Sequence, residues 1–279
     1  MSSPGDTRNI SRGVNGSLDV PLLRVYTLDE ARGRLLCRLP PDELIVPEGM
    51  RQRIADLFGQ PLTPDEAVHR IIVDVRARGD EALLDWSARL DGAQPTTFHV
   101  PSEEIATGLA ATPAPVVAAL QLAAQRIEHF HRRQSQVGWW DSIGPDRLGQ
   151  LVRPLERVGI YVPGGSAPLP SSLLMCAIPA RVAGVREIVV CTPPGRNGLP
   201  PVLLAAAHIA QVDKVFQLGG AQAIAAMAYG TASVPRVDKI VGPGNLFVTL
   251  AKRQVYGVVG IDGLLGPTET VIIADEDAN

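Results

Sequence analysis

Cysteine is scarce in this sequence of 279 residues. The three that occur, Cys37, Cys176 and Cys191, are odd in number and widely spaced. Such spacing does not favour a disulfide framework and fits a reducing compartment best. The sequence contains no CxxC pair and no cysteine–histidine cluster, so it has no zinc-finger pattern. We therefore expect a cytoplasmic protein.

An excess of charge of one sign is also missing, since the formal net charge at pH 7 is −3. A polyanion is held by a basic field, so no nucleic-acid partner is expected. Long apolar runs are absent too: stretches such as Val202–Ala210 are far shorter than the roughly 20 residues that span a membrane. Residues 1–16 are polar, and no apolar segment typical of a secretory signal follows them. Composition thus predicts a globular protein with no membrane or nucleic-acid partner.

The first half of the sequence is predicted to be mainly helical. Residues 1–20 lack periodicity and are expected to form a flexible tail, and residues 21–60 are expected to be irregular because prolines interrupt their apolar runs. The pattern Thr63–Glu66 is a capping box that opens a helix, and apolar residues then recur at helical spacing up to Gly79. Further helices are predicted over Asp80–Leu90, from about Ser102, and over Ala114–Arg133.

In the second half, strand-type apolar runs alternate with helical segments. The predicted strands are Val158–Val162, Glu187–Thr192, Lys214–Leu218, Lys239–Val241 and Thr270–Ala274. The predicted helices are Ser171–Ala183, Pro201–Ala210, Ala221–Tyr229 and Leu246–Gln254. This alternation predicts right-handed βαβ units and a mostly parallel, doubly wound sheet with helices on both faces. The expected fold class is α/β: a mainly helical region over 21–150, then a Rossmann-like domain over 151–279 that is incomplete at its C-terminus.

Three of the predicted strands end in glycine-rich turns. These are Pro163-Gly164-Gly165, Gly219-Gly220 and Gly242-Pro243-Gly244. Ligands of parallel sheets bind beyond the carboxyl ends of the strands, where glycine lets backbone N–H groups approach a phosphate and the next helix adds its positive N-terminus. No turn spells GxGxxG or GxxxxGK[ST]. A shared nucleotide crevice and ordinary turns, in which glycine only supplies positive φ, therefore both stay open.

Polar side chains beside these turns favour the ligand interpretation. Gln222 and Asn245 each follow a glycine turn at a predicted helix start. An amide both donates and accepts hydrogen bonds, as a ribose hydroxyl or a nicotinamide requires. Helix capping is the alternative, for which asparagine is well suited and glutamine poorly suited. Tyr161 precedes the first turn, where it can pack on a base or sugar or only within the sheet.

Several long motifs in the second half resemble those of histidinol dehydrogenases. They are RVGIYVPGGSAPLPSS (157–172), QLGGAQAIAAMAYG (217–230), VPRVDKIVGPGNLFVTLAKRQV (234–255) and IDGLLGPTETVIIA (261–274). The resemblance is dense from about Arg153 to Asn279 and looser back to about residue 60. Leu265 stands where that family usually has an alanine, which is a mild departure near the expected substrate position.

The resemblance implies an activity, cofactors and partners. Histidinol dehydrogenases oxidise L-histidinol to L-histidine in two NAD-dependent steps through histidinaldehyde, as homodimers with one zinc per site. By resemblance, the NAD contacts fall on Tyr161, Gln222 and Asn245, and Thr268 matches a substrate contact. The family's zinc ligands and its catalytic Glu-His pair are expected beyond Asn279. We therefore assign no catalytic or metal residue and expect residues 1–279 alone to be inactive.

Two other functions stay open at this point. A relative that oxidises another polar alcohol, such as a sulfonated diol, would share these motifs, and so would a non-catalytic NAD-binding module. No HExxH motif occurs, and none of the five histidines is expected to bind the physiological metal; they are His69, His99, His129, His131 and His208. Cys176 and Cys191 are expected to be buried structural residues, not an aldehyde-trapping thiol.

Overall fold

The structure, a computed structural model, describes residues 26–34, 46–92, 95–134, 137–164, 168–195, 198–264 and 272. The predictions of a tail over 1–20, of a strand over Thr270–Ala274 and of a substrate contact at Thr268 lie outside the described residues. The chain divides into two compact units, residues 1–48 and residues 49–279.

Helices and strands alternate along most of the described chain. The helices are α1 (Leu28–Arg34), α2 (Glu48–Phe58), α3 (Pro64–Arg78), α4 (Asp80–Asp91), α5 (Ser102–Ala111), α6 (Ala114–Arg132), α7 (Pro170–Val182), α8 (Pro201–Ile209), α9 (Gly220–Tyr229) and α10 (Leu246–Val255). The strands are β1 (His99–Val100), β2 (Trp139–Ile143), β3 (Asp146–Gln150), β4 (Arg157–Tyr161), β5 (Glu187–Thr192), β6 (Lys214–Gln217), β7 (Lys239–Val241) and β8 (Gly260–Ile261).

The predicted irregularity of residues 21–60 is wrong for α1 and α2. At the start of α1, the backbone N–H of Thr27 donates to Glu30 at 2.9 Å and the N–H of Glu30 donates back to the Thr27 hydroxyl at 3.3 Å. This capping box satisfies backbone donors that a helix start otherwise leaves unpaired. Helix α2 buries Ile54 as its one buried residue. Apolar periodicity is therefore too weak to reveal either helix from the sequence.

The capping box at α3 confirms the helix start predicted from Thr63–Glu66. The backbone N–H of Thr63 donates to the Glu66 carboxylate at 2.8 Å, and the N–H of Glu66 donates to the Thr63 hydroxyl at 3.2 Å. The helix ends at Gly79, which has a positive φ of 60°. Helices α4, α5 and α6 also begin where the sequence predicts them.

The main sheet is mostly parallel, as predicted. Its strand order is β1-β6-β5-β4-β7-β8, and every neighbouring pair is parallel except β1 with β6. From β4 the chain adds β5 and β6 on one side and then β7 and β8 on the other. The strand order thus reverses between β4 and β7, which is the arrangement of a doubly wound sheet.

Two apolar cores lie on opposite faces of this sheet. Ile160, Ile188 and Val190 point towards α5, α6, α7 and α8. Tyr161, Val189 and Cys191 alternate with them and point towards α3, α4, α9 and α10. Side chains of a strand alternate between its faces, so a strand covered on both sides is a continuous apolar run. This is why the strands could be recognised from the sequence.

A separate two-stranded hairpin, formed by β2 and β3, was not predicted. All ten of its residues are exposed, and Trp139 and Trp140 keep 53% and 74% of their surface accessible. The hairpin turns at Gly144, which has a positive φ of 63°. An isolated pair of strands is marginally stable in water. This hairpin also leaves its apolar side chains exposed, whereas the strands of the main sheet bury most of theirs.

Among the described residues, no single helix is long and apolar enough to cross a membrane. Helices α5 and α6 meet the length and composition criteria only when taken together, and they are bent by 114° relative to each other.

Candidate functional site

The candidate site lies at the carboxyl ends of the parallel strands, around the point where the strand order reverses. Ligands of doubly wound sheets bind in the crevice outside this point, because the loops from its two sides diverge there. The turn after β6 leads into α9, and the turn after β7 leads into α10. Both turns contain positive-φ glycines, Gly220 at 63° and Gly242 at 110°.

Tyr161, the last residue of β4, contacts both of these turns. Its hydroxyl accepts a hydrogen bond from the backbone N–H of Gly220 at 3.0 Å. Its carbonyl oxygen lies beside Gly242, where an added Cβ would come within 2.2 Å of it. Burial raises the pKa of Tyr161 to about 12, so the phenol stays neutral at physiological pH. Tyr161 therefore links two of the three glycine-rich turns that follow the parallel strands.

Gln222 is completely buried in the first turn of α9. Its amide nitrogen lies 3.4 Å from the Asp91 carboxylate, at the outer limit of a hydrogen bond. Within the part of the chain that the structure describes, its amide oxygen has no hydrogen-bond partner. The oxygen rests against Gly220, where an added Cβ would come within 2.5 Å of it. A buried acceptor without a donor is unfavourable by roughly 1–3 kcal/mol, so Oε1 is a position that a ligand donor would satisfy.

Asp91, which was not predicted as a site residue, is the carboxylate that faces this amide. It is the last residue of α4. Desolvation raises the pKa of its carboxyl group although the residue as a whole is exposed, so the carboxyl group faces the protein. A negative charge at the C-terminal end of a helix is unfavourable. An acidic residue in the last turn of a helix is the one sequence signal that could have revealed it.

A buried ion pair fixes the turn after β7. Lys252, which is only 2% exposed, donates to the carbonyl oxygen of Gly242 at 3.0 Å and pairs with the Asp262 carboxylate. The other oxygen of Asp262 accepts from the backbone N–H of Gly242 at 2.8 Å. This N–H and that of Gly220 are both hydrogen-bonded within the protein. Phosphate contacts at these turns would therefore have to use other backbone groups.

Asn245 caps α10, so the capping role that the sequence offers as an alternative to ligand binding is confirmed. Its side-chain oxygen accepts from the backbone N–H of Val248 at 3.1 Å. The residue is exposed at the end of the strand next to β4. Capping occupies Oδ1 of Asn245. A ligand contact made by its side-chain amide nitrogen stays a prediction. Thr268, the fourth predicted site residue, lies outside the described residues.

The cysteines and histidines of the described chain form no reactive or metal-binding centre. Burial raises the pKa of the Cys176 thiol to about 11 and raises that of Cys191 as well, which disfavours a reactive thiolate at either position. In the part of the chain that the structure describes, no three histidine, cysteine, aspartate or glutamate side chains converge as a metal-binding group. Because zinc needs three or four converging ligands, these described residues do not by themselves fit it.

Comparison with known proteins gives a consistent set of similarities. The sequence profile of a family described as histidinol dehydrogenase matches residues 61–279. A histidinol dehydrogenase of Deinococcus radiodurans is 56% identical over 258 residues, which are 91% of this chain and 58% of that protein. One from Dehalococcoides mccartyi is 54% identical over 83% of this chain and 53% of its own length. A crystal structure of histidinol dehydrogenase from Elizabethkingia anophelis has a TM-score of 0.70 at 35% identity, over 78% of this chain and 52% of that one. The chain thus spans about half the length of the relatives it matches.

Proposed function

The chain belongs to the histidinol dehydrogenase family, and on this basis we propose that residues 1–279 supply the NAD-binding part of an enzyme that oxidises L-histidinol to L-histidine. NAD, when bound, accepts the hydride in each of the two oxidations that the family resemblance implies. The single observation that carries the proposal is the buried amide oxygen of Gln222, which lies at the carboxyl end of the sheet and finds no donor among the described residues. A ribose hydroxyl or the carboxamide of nicotinamide can supply that donor.

The geometry of the first turn of α9 supports a dinucleotide at this position. No side chain of the described residues caps α9, and its N-terminus follows the end of β6 directly. The first backbone N–H groups of a helix have no partner within the helix and carry its positive end, which favours an anionic phosphate. Tyr161 takes up the N–H of Gly220 and thereby holds the turn in place. The chain's own groups thus bind and orient the nucleotide.

Asn245 is proposed to act on the other side of the strand-order reversal, and Thr268 is proposed to contact the substrate. Asn245 begins the helix that follows β7, and the segment that contains Thr268 follows β8. Hydride transfer requires the nicotinamide to lie beside the alcohol carbon of the substrate. We therefore propose that the nicotinamide end lies towards β7 and β8, with Thr268 as a substrate contact, and that the adenosine end lies towards β6.

Zinc, a homodimer and a cytoplasmic location belong to the same proposal. The family resemblance implies a zinc ion, for which the described residues offer no group of three converging ligands. The uncovered hairpin with Trp139 and Trp140 exposed supports association of two chains, since such apolar patches commonly mark interfaces. Cys176 and Cys191 are both free thiols, which supports a reducing compartment.

Calorimetric titration of residues 1–279 with NAD tests the proposal. We expect one NAD per chain and a strong loss of affinity in Gln222→Leu, which keeps the approximate size of the side chain but removes the amide. Because the buried oxygen finds no donor in the described part of the chain, Gln222→Leu should be at least as stable as the parent chain. Gln121→Leu, on the exposed surface of α6, is the matched control and should bind NAD like the parent. No NAD binding by the parent chain, or unchanged binding by Gln222→Leu, would refute the proposal.

A second experiment separates the proposed enzyme part from the alternatives. A ligand that binds the native state raises the melting temperature, so thermal shifts with NAD, histidinol and zinc report each interaction. We expect residues 1–279 to respond to NAD and to show no NADH formation with histidinol. One tightly bound zinc per chain together with turnover would place catalytic groups within these residues and overturn this expectation.

A further inference from the structure

Asp91 and Gln222 meet at the edge of the proposed nucleotide site, where the amide nitrogen of Gln222 faces the Asp91 carboxylate at 3.4 Å. They are 131 residues apart in the sequence and meet where the end of α4 approaches the start of α9. The carboxylate faces the buried amide, whose oxygen receives no hydrogen bond from any described residue. Both features are unfavourable in the protein alone: a carboxylate ends a helix, and a buried acceptor is unpaired. Local violations of this kind are expected where a ligand completes the structure.

The chemistry of this pair selects a particular kind of ligand group. A carboxylate offers two acceptor oxygens, and Gln222 adds a third acceptor in its Oε1. These oxygens suit a neutral group with two adjacent donors, whereas a phosphate belongs at the backbone N–H groups at the start of α9. The vicinal hydroxyls of a ribose are the part of a dinucleotide that matches, because each O–H can donate to a separate oxygen.

We propose that Asp91, together with Gln222, binds the hydroxyls of a ribose in the bound nucleotide. The inference rests on the proposed function, because it names the part of NAD that these two residues contact. If the ribose is that of adenosine, the Asp91 carboxylate also rejects NADP, whose phosphate replaces one of those hydroxyls. If it is the nicotinamide ribose, Asp91 strengthens the binding of both dinucleotides equally.

Dissociation constants for NAD and NADP, measured on the full chain and on Asp91→Asn, test the inference. The substitution preserves the shape of the side chain and removes its charge. We expect the affinity for NAD to fall about tenfold, the factor associated with a hydrogen bond to a charged group. Collapse of a preference for NAD over NADP would assign the contact to the adenosine ribose, and an equal loss for both ligands would assign it to the nicotinamide ribose.

The melting temperature distinguishes this role from a structural one. Asp91→Asn removes a charge that the protein desolvates, so its melting temperature without ligand should equal or exceed that of the parent. If Asp91 only stabilised the positive end of α9, the melting temperature would fall and binding of both dinucleotides would stay within about twofold of the parent. That result would overturn the inference.

Asp85→Asn is the matched control, since Asp85 lies on the same helix and pairs with Arg78 on the surface. It should leave both dissociation constants unchanged. A parent chain that binds NAD, combined with an Asp91→Asn variant that binds it equally well, rejects the role of Asp91 alone. A parent chain that does not bind NAD rejects the proposed function, and the inference fails with it.

Discussion

The hydroxyl of Tyr161 accepts a hydrogen bond from the backbone N–H of Gly220 at 3.0 Å, which ties the end of β4 to the start of α9 across the intervening strand β5. Tyr161→Phe would leave this N–H without a partner in a buried turn. We expect a loss of about 1–2 kcal/mol in the free energy of unfolding, together with weaker NAD binding because the turn is less firmly held. Urea unfolding monitored by circular dichroism measures the first effect.

Tyr256→Phe is the control for this substitution, because Tyr256 is 70% exposed. Its free energy of unfolding should stay within about 0.5 kcal/mol of the parent value. Equal stabilities of the two variants would show that the Tyr161 hydroxyl does not hold the turn.

The buried ion pair predicts a large effect at Lys252. Lys252→Met keeps most of the side-chain length but leaves Asp262 without its cation, and breaking a buried pair by removing one partner destabilises by about 3 kcal/mol or more. Lys214→Met is the matched comparison: Lys214 lies 3.0 Å from Glu187, is 44% exposed, and should lose at most about 1 kcal/mol. Chemical denaturation of both variants tests the difference, and similar losses would contradict it.

Gly242 should tolerate no side chain. Its φ of 110° is unfavourable for any other residue, and an added Cβ would come within 2.2 Å of the Tyr161 carbonyl oxygen. The carbonyl oxygen is part of the backbone and the backbone fixes the position of the added Cβ, so neither atom can move aside easily. We expect Gly242→Ala to lose at least about 3 kcal/mol or to fail to fold. Gly144→Ala, with a φ of 63° and open space around it, should lose only about 1–2 kcal/mol. A fully stable Gly242→Ala variant would show that the turn differs from the one described.

Stability should decrease in acid partly through Glu187. Burial raises the pKa of Glu187, but hydrogen bonds from Arg157 and Lys214 outweigh burial, so the net pKa is lowered. A lowered carboxyl pKa stabilises the folded state above the unfolded value of about 4.3, and that contribution is lost as the pH falls through the folded value. Glu187→Gln should therefore be less stable than the parent at pH 7, and the difference should shrink below about pH 4.

Unfolding curves recorded from about pH 7 to about pH 3 measure this difference. Glu156→Gln, which removes an exposed pair with Arg186, is the control and should show a much smaller change over the same range. A constant difference between the parent and Glu187→Gln at all pH values would contradict the proposed linkage.

The parallel sheet could be predicted because its strands are largely apolar runs in the sequence. Glu187–Thr192 is a largely apolar run that is buried on both faces, and its predicted bounds agree with β5. The hairpin of β2 and β3 could not be predicted in this way. Its residues are exposed on both faces, so no alternation of apolar and polar side chains marks them as strands. Helix α1 depends on a local capping box and carries no apolar periodicity either.

Members of the candidate site could be proposed from the sequence only where they belong to a local pattern. Gln222 and Asn245 follow glycine turns, and those turns are visible in the sequence. Asp91 is brought to Gln222 by the packing of α4 near α9, which no local pattern encodes. Lys252 is followed by Arg253 and resembles part of a solvated charged face, whereas the fold buries it against Asp262. Contacts between residues distant in the sequence require the tertiary structure.

A crystal structure of the chain with NAD tests the central claim most directly. We predict one NAD molecule at the carboxyl ends of β4, β6 and β7, with a hydrogen-bond donor of the nucleotide within about 3.2 Å of the Gln222 amide oxygen. Ribose hydroxyls should lie within the same distance of the Asp91 carboxylate. NAD bound elsewhere on the chain, or a Gln222 oxygen that stays without a partner in the complex, would contradict the assignment of this crevice as the cofactor site.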